Sequence, residues 1–252
     1  QHAEPLPHLE AAVVGNRALV TADRDRYLPD LARSLHNLGN GYAEQDRPAE
    51  AVNYLEEALT YYRTLDRANP DRHRPDLAAC LNNLGANLAA LGSYADAVPC
   101  ARDAVELHRH LAEDSPVRYR SELARSLDNL VMCLSRMGRH LEVLGPAEEA
   151  VELHRQLAYI DPDRHQPELA RALTNLSVSL TGLRRYAEAL PAAEEAVDIY
   201  RQLVETDLSQ YRRRLARALR NLAVDLSGLH RHAEADRCRQ EADEKEEEEE
   251  QE

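Results

Sequence analysis

An eight-residue pattern that returns every 46 residues constrains this chain more than any other feature. Each copy reads Leu-Ala-x-x-Leu-x-Asn-Leu, and the copies begin at Leu31, Leu77, Leu123, Leu169 and Leu215. Apolar residues three and four apart lie on one face of an α-helix. The pattern therefore predicts five copies of one helical unit, because self-similarity at a fixed period is the signature of a repeat architecture.

A second shared segment lies further along each repeat. In the first repeat it reads Ala49-Glu50-Ala51-Val52, and altered copies follow with the same period. Gly92 and Gly138 lie between the two segments, where a glycine ends a helix. We expect a proline just before the first helix, where a missing amide hydrogen costs nothing. The prolines concerned are Pro29, Pro75 and Pro167. Each repeat is thus predicted to be a helix A, a short turn, a helix B and a loop.

The period divides the chain into an unpartnered helix B, five repeats and a charged tail. The incomplete first repeat takes residues 1–25, and the five repeats take 26–71, 72–117, 118–163, 164–209 and 210–240. Residues 241–252 hold nine acids and one lysine and form an acidic tail. The last helix B runs from Ala233 to Gln240 and then turns almost wholly charged, as the polar outer face of a capping repeat should.

The first helix B has no helix A before it in this sequence, so we expect it to leave an apolar face uncovered. Either the chain is the C-terminal part of a longer protein, with an effector domain N-terminal to Gln1, or something else covers that face. The open end and the acidic tail are the two places at which a homo-oligomer is predicted to form.

The repeats resemble the tetratricopeptide repeat family over nearly the whole chain. Residues at that family's signature spacings are, in the first repeat, Leu35, Leu38, Gly39, Tyr42, Ala51, Leu55 and Ala58. In the second repeat they are Leu81, Leu84, Gly85, Leu88, Ala97, Ala101 and Ala104. The family's usual period is about 34 residues. The period of 46 residues in this chain is longer, and in this respect the chain is similar to kinesin light chains and to many bacterial signalling proteins. Those bacterial proteins are often fused to signalling ATPase or protease domains.

The resemblance implies an all-α fold, a right-handed superhelical solenoid of antiparallel helix pairs that binds proteins or peptides. On a helical wheel, the apolar residues of the first helix A form one stripe, which packs inside the solenoid. The polar residues on the opposite side are Arg33, Asn37, Asn40 and Glu44. In the family, this side faces the concave groove in which ligands lie.

One position on the polar side is asparagine in every repeat. The five residues, which we call the Asn row, are Asn37, Asn83, Asn129, Asn175 and Asn221. A carboxamide donates and accepts hydrogen bonds at once, so a row of them can hold an extended peptide by its backbone. The resemblance implies the same role for asparagines at this position. The alternative is that each asparagine bonds a neighbouring helix or loop.

Arginine recurs one turn before the asparagine in four repeats. These residues, the Arg row, are Arg33, Arg125, Arg171 and Arg217, and Arg136 and Arg220 lie near them. Guanidinium groups bind carboxylates through paired hydrogen bonds, so we hypothesise a groove selective for acidic segments. The alternative is pairing with acids of adjacent repeats. Three apolar residues at the Asn40 position form side-chain pockets or pack on the next helix: Met132, Val178 and Val224.

Several other functions are excluded by composition and by the absence of motifs. A formal net charge of -14 argues against nucleic-acid binding. No apolar run approaches the roughly 20 residues of a membrane helix, and four cysteines without close spacing predict reduced thiols in a cytoplasmic protein. The His-x-His pairs at 108–110 and 230–232 point their side chains apart. We find no catalytic motif, cofactor signature or metal site, and expect no enzyme.

Two functions remain. The chain is a scaffold or sensor that binds an extended, acidic segment on the helix A surface. Alternatively, it is a structural, oligomerising or autoinhibitory module without a free peptide ligand.

Overall fold

The computed structural model describes residues 6–250, which form helices joined by short loops. The helices are α1 (Leu6–Ala22), α2 (Arg24–Glu44), α3 (Pro48–Ala68), α4 (Pro70–Ala90), α5 (Tyr94–Asp114), α6 (Pro116–Arg136), α7 (His140–Ile160), α8 (Pro162–Gly182), α9 (Tyr186–Thr206), α10 (Leu208–Gly228) and α11 (His232–Glu250). Strands are absent from this part of the chain, so the all-α prediction is confirmed. Gln1 and the last two residues of the acidic tail lie outside the described residues.

Even-numbered helices are the predicted helix A, and odd-numbered helices are helix B. The first residues of α2, α4, α6, α8 and α10 are 46 residues apart, as are those of α3, α5, α7, α9 and α11. Loops of one to three residues reverse the chain, so consecutive helices run antiparallel.

The chain divides into two compact units, residues 1–133 and 134–252. In the first unit, consecutive helices from α1 to α5 pack on one another, and α2 also contacts α4. In the second unit, α7 to α11 do the same, and α8 contacts α10. Within each unit, a helix A such as α4 or α10 therefore lies between its own helix B and the helix B of the preceding repeat.

The predicted apolar stripe of helix A lies inside the first unit. Leu31, Leu35, Leu38 and Tyr42 are buried. Helix B meets the stripe with small residues, because Ala51 and Ala58 are fully buried. A Cβ placed on Gly39 would lie 2.7 Å from Cγ of Leu55. The signature glycine thus allows α2 and α3 to approach closely.

Helix A begins earlier than the sequence predicted. An N-cap residue starts each copy, and the five are Asp23, Asn69, Ser115, Asp161 and Asp207. The prediction that Pro29, Pro75 and Pro167 precede helix A is wrong, since all three lie inside α2, α4 and α8. A proline at the sixth helical position removes one amide donor, so one helical hydrogen bond is missing, yet each helix continues through it.

The turn between helix A and helix B has one left-handed residue in every repeat. Gly92 has φ 77° and Gly138 has φ 68°, which confirms them as helix-ending glycines. The equivalent residues elsewhere are Asp46, Arg184 and His230, with φ of 55°, 59° and 62°. The left-handed turn is therefore formed even in the repeats that have no glycine at this position.

Candidate peptide-binding surface

The Asn row and the Arg row lie one turn apart on α2, α6, α8 and α10, while α4 has Ala79 at the arginine position. Asn37 is exposed, and the other four asparagines are half-buried. We call the side of the A helices that carries both rows the helix A surface.

In the first unit, Asn83 is bound to the preceding helix A. Its Nδ2 donates to Oδ1 of Asn40 over 2.9 Å and lies 3.0 Å from Nε2 of His36. Burial, with a smaller contribution from the charge of Arg125, lowers the pKa of His36 to about 4. The imidazole is therefore neutral at physiological pH, and its Nε2 accepts the hydrogen bond.

Asn129 is also bound to its predecessor. Its Nδ2 donates to Oδ1 of Asn82 over 2.9 Å. The buried Oγ of Ser126 lies 3.1 Å from the same oxygen and 2.8 Å from Nδ1 of His108. Burial, again with Arg125, lowers the pKa of His108 to about 4. Asn83 and Asn129 thus tie successive A helices together, as the packing alternative predicted.

In the second unit, the Asn row is open. Within residues 6–250, the carboxamides of Asn175 and Asn221 have no hydrogen-bond partner. For Asn221, the reason lies in the preceding repeat, where Thr174 occupies the position that His36 and Asn82 hold in the first two repeats. Its hydroxyl donates to the carbonyl oxygen of Ala170 over 2.8 Å. Neither asparagine therefore ties its helix to another within the described residues.

Two members of the Arg row pair with an acid of their own helix. Arg33 pairs with Asp30, and Nε of Arg171 lies 3.0 Å from Oε2 of Glu168. Such solvent-exposed pairs contribute about 0–1 kcal/mol and are readily exchanged. Arg125 and Arg217 are exposed and have no ion-pair partner among the described residues.

The three apolar residues at the Asn40 position differ in their exposure. Met132 is half-buried, whereas Val178 and Val224 are 38% and 49% exposed. Each valine lies three residues after an open asparagine, so it shares that helix face. In the second unit, the helix A surface therefore combines open carboxamides, exposed valines and the cation of Arg217.

The acidic tail continues α11 as a helix to Glu250. Nη2 of Arg220 lies 2.6 Å from Oε2 of Glu246 and 3.2 Å from Oδ1 of Asp243. Arg220, which lies near the Arg row in sequence, is thus paired by the tail of its own chain.

The sequence analysis missed a row of ion pairs between successive B helices. An arginine of one helix B pairs with an acid 40 residues later, over 2.6 Å in Arg17–Glu57, 3.8 Å in Arg63–Asp103, 2.8 Å in Arg155–Glu195 and 2.7 Å in Arg201–Glu241. The signal was present, because arginine and acid recur at these positions with the 46-residue period. These pairs join the B helices of neighbouring repeats.

A buried carboxyl lies near the end of α10. Asp225 is fully buried, its Oδ1 accepts a hydrogen bond from the hydroxyl of Thr181, and its Oδ2 has no partner within the described residues. Burial raises its pKa to about 6, against the opposing effect of the Thr181 hydrogen bond.

No group of three potential metal ligands occurs within the described part of the chain. None of its helices is both long enough and apolar enough to cross a membrane.

Family models described as tetratricopeptide repeat match residues 31–65, 77–116 and 122–202, together more than half of the chain. No curated protein sequence matches the chain.

Several solved structures share the fold. BtubC (BKLC) from P. vanneervenii is 18% identical, with a TM-score of 0.68, over 96% of this chain and 89% of that one. The MamA RS-1 ArsTM double mutant is 17% identical, with a TM-score of 0.60, over 88% and 97%. The apo form of RapI is 13% identical, with a TM-score of 0.56, over 88% and 85%. At these identities, the likeness concerns the fold alone.

Proposed function

From the premise that this chain belongs to the tetratricopeptide repeat family, a family of protein-interaction scaffolds, we propose that it binds an extended, acidic segment along the helix A surface. The observation that carries the proposal is the second unit, where Asn175 and Asn221 lie open beside Val178, Val224 and Arg217. The carboxamides hold the ligand backbone, the valines contact its apolar side chains, and arginine binds its carboxylates. The role is non-catalytic.

The spacing of the repeats fits this ligand. Neighbouring helices lie roughly 8–10 Å apart, and an extended chain advances about 3.3 Å per residue. One asparagine therefore meets about every third peptide residue. Specificity then comes from the residues between these contacts, through Val178, Val224 and Arg217.

The test is titration of the chain with a library of extended acidic peptides, repeated on Asn175→Ala and Asn221→Ala. Each variant should weaken binding about five- to tenfold, the effect of one hydrogen bond, without loss of thermal stability. The matched control is Asn53→Ala, which removes an exposed carboxamide from α3, a helix B. Unchanged affinity in both variants contradicts the proposal.

We further propose that α1 is a docking surface for an attached effector domain of a bacterial signalling protein. Ala12 is exposed and Leu19 is 42% exposed. One repeat later, Ala58 and Leu65 hold the same positions and are buried. Charged substitutions at Leu19 should release such a domain in the full-length protein, as measured by pull-down of the separate parts.

The alternative function, an autoinhibitory or oligomerising module, is favoured by the tail. The ion pairs of Arg220 with Asp243 and Glu246 show that acids of α11 reach an arginine of α10. Deletion of residues 241–252 distinguishes the two functions, because an autoinhibitory tail that occupies the surface must weaken peptide binding while it is present. Equal peptide affinity with and without the tail contradicts autoinhibition and favours the scaffold function.

A further inference from the structure

Two cavities of the second unit lie in grooves between successive B helices. The α7–α9 groove holds a cavity of about 320 Å³, and the α9–α11 groove holds one of about 470 Å³. Residues of the helix A between the two B helices also line each cavity. No member of the Asn row or the Arg row lines either groove, so both grooves are separate from the helix A surface.

The two grooves are built from the same positions of the repeat. Of the ten residues that line the α7–α9 groove, nine have a counterpart 46 residues later in the lining of the α9–α11 groove, and Leu173 is the exception. A gap left by imperfect packing at one place would not recur in register. The groove is therefore a feature of the repeat itself.

Each groove has an apolar floor and acidic walls. In the α7–α9 groove the floor includes Val151 and Leu176, and both counterparts in the α9–α11 groove are again valine and leucine. The acids of the α7–α9 groove are Glu148, Glu152, Glu188 and Glu195, and each counterpart 46 residues later is again acidic. These four acids face one lining arginine in the α7–α9 groove and two in the α9–α11 groove. Both grooves therefore have a net negative charge.

One acid in each groove has no partner of its own. Glu148 and Glu194, which lie one period apart, are exposed and make no hydrogen bond or ion pair within the described residues. The pKa of Arg185 is raised mainly by its hydrogen bond with Glu188, and the charge of Glu148 contributes least. Glu194 acts on Arg231 in the same secondary way. A cation from outside the chain can therefore pair with Glu148 and Glu194 without breaking an existing ion pair.

The first repeat shows which groups the chain itself places at these positions. Leu226 and Cys238 both line the α9–α11 groove, and four periods earlier their positions are held by Tyr42 and Tyr54. The two rings stack with centroids 5.3 Å apart and an angle of 3° between their planes. The guanidinium of Arg47 lies over the ring of Tyr42 at 4.5 Å. Leucine and cysteine are smaller than two tyrosines, so the α9–α11 groove has room for a flat group.

We propose that the α7–α9 and α9–α11 grooves bind arginine side chains of a basic segment in a partner protein. The apolar floor covers the methylene stem of the arginine, and Glu148 or Glu194 pairs with its guanidinium. Arginine is preferred to lysine because its flat, weakly hydrated head donates two parallel hydrogen bonds to one carboxylate. This inference goes beyond the proposed function, since a basic segment on the B helices is a second ligand, distinct from the acidic segment on the helix A surface.

Labelled glycine–serine peptides that carry two arginines, one arginine, two lysines or two citrullines test the grooves by fluorescence anisotropy at fixed ionic strength. The two-arginine peptide should bind most tightly, and citrulline, which keeps the shape but not the charge, should abolish binding. Glu148→Gln and Glu194→Gln should each weaken the two-arginine peptide about three- to fivefold. The matched control is Glu205→Gln, which removes the same charge from an exposed position of α9 outside both grooves and should bind as wild type does.

A steric variant tests the groove independently of charge. Cys238→Tyr gives the α9–α11 groove the residue that Tyr54 supplies in the first repeat, and should reduce the affinity of the two-arginine peptide to that of the one-arginine peptide. Circular dichroism checks that this variant folds. If it does not, Glu194→Gln decides, because it changes only an exposed side chain.

Three results would overturn the proposal. The first is equal affinity of the two-arginine peptide for wild type and for the Glu148→Gln, Glu194→Gln double variant. The second is equal affinity of the lysine and arginine peptides. The third is loss of binding on deletion of residues 247–252, which would assign the basic peptide to the acidic tail. Acidic peptides should bind the double variant as they bind wild type, so the proposed function is tested separately.

Discussion

Nδ2 of Asn129 donates a hydrogen bond to Oδ1 of Asn82 over 2.9 Å and so joins α6 to α4. The acceptor is buried together with Ser126 and His108, so this bond belongs to a polar network inside the first unit. Asn175 occupies the same position one repeat later and makes no such bond within residues 6–250. One residue type at one repeat position thus has two structural roles.

The two roles predict different stabilities. Asn129→Ala should lower the free energy of unfolding by about 1–3 kcal/mol, because it leaves a buried acceptor without its donor. Asn175→Ala should change it by less than about 0.5 kcal/mol, since alanine is also the better helix former. Urea denaturation followed by circular dichroism measures both. Equal losses in the two variants would contradict the assignment.

The left-handed turn residues predict a gain in stability. Arg184 has φ 59° at a position where Gly92 and Gly138 occur in other repeats. Because a side chain in this conformation costs about 1–2 kcal/mol, Arg184→Gly should stabilise the chain by up to about 1 kcal/mol after the entropy cost of glycine. Gly92→Ala should destabilise it by a similar amount.

Gly145→Ala is the control for these turn variants. Gly145 lies inside α7, and a Cβ there would meet nothing within 4 Å. Alanine should therefore stabilise the helix by about 0.5–1 kcal/mol. If Gly92→Ala behaves like Gly145→Ala in thermal denaturation, the left-handed conformation at residue 92 is not required.

Asp225 predicts a specific pH dependence. Burial raises its pKa in the folded chain to about 6, above the ordinary value of about 3.9. The folded state then binds the proton more tightly, so this group's contribution is present below pH 4 and is lost as pH rises through 6. Asp225→Asn should be more stable than wild type at pH 7.5, and the difference should shrink towards pH 4.

Glu188→Gln is a control for which we expect the opposite dependence of stability on pH. A hydrogen bond from Arg185 lowers the pKa of Glu188, so its contribution is present at neutral pH and is lost in acid. Wild type should therefore exceed this variant in stability at pH 7.5, and not at low pH. Melting temperatures measured across pH 3.5–7.5 test both variants, and parallel curves for wild type and Asp225→Asn would refute the burial effect.

The period, the helix pairs and the apolar stripe were predictable because each depends on residues of one helix and its own repeat. The hydrogen bonds of the Asn row were not, because they depend on the preceding helix. Asn82 offers an acceptor, whereas the hydroxyl of Thr174 is bonded to its own backbone. The start of helix A was predicted wrongly from the prolines. It is set by the N-caps at Asn69 and Asp161, not by Pro75 and Pro167.

The signature glycines predict unequal tolerance of a methyl group. At Gly39, an added Cβ would lie 2.7 Å from Cγ of Leu55 and 3.2 Å from the carbonyl oxygen of Ala51. At Gly85, one period later, the nearest atoms are 3.5 Å away. Gly39→Ala should therefore cost about 1–3 kcal/mol, as overpacking of a core does. Gly85→Ala should be neutral or stabilising, because alanine favours the helix. Unfolding in urea compares the two, and an equal cost at both positions would show that helix pairing in the two repeats is equally close.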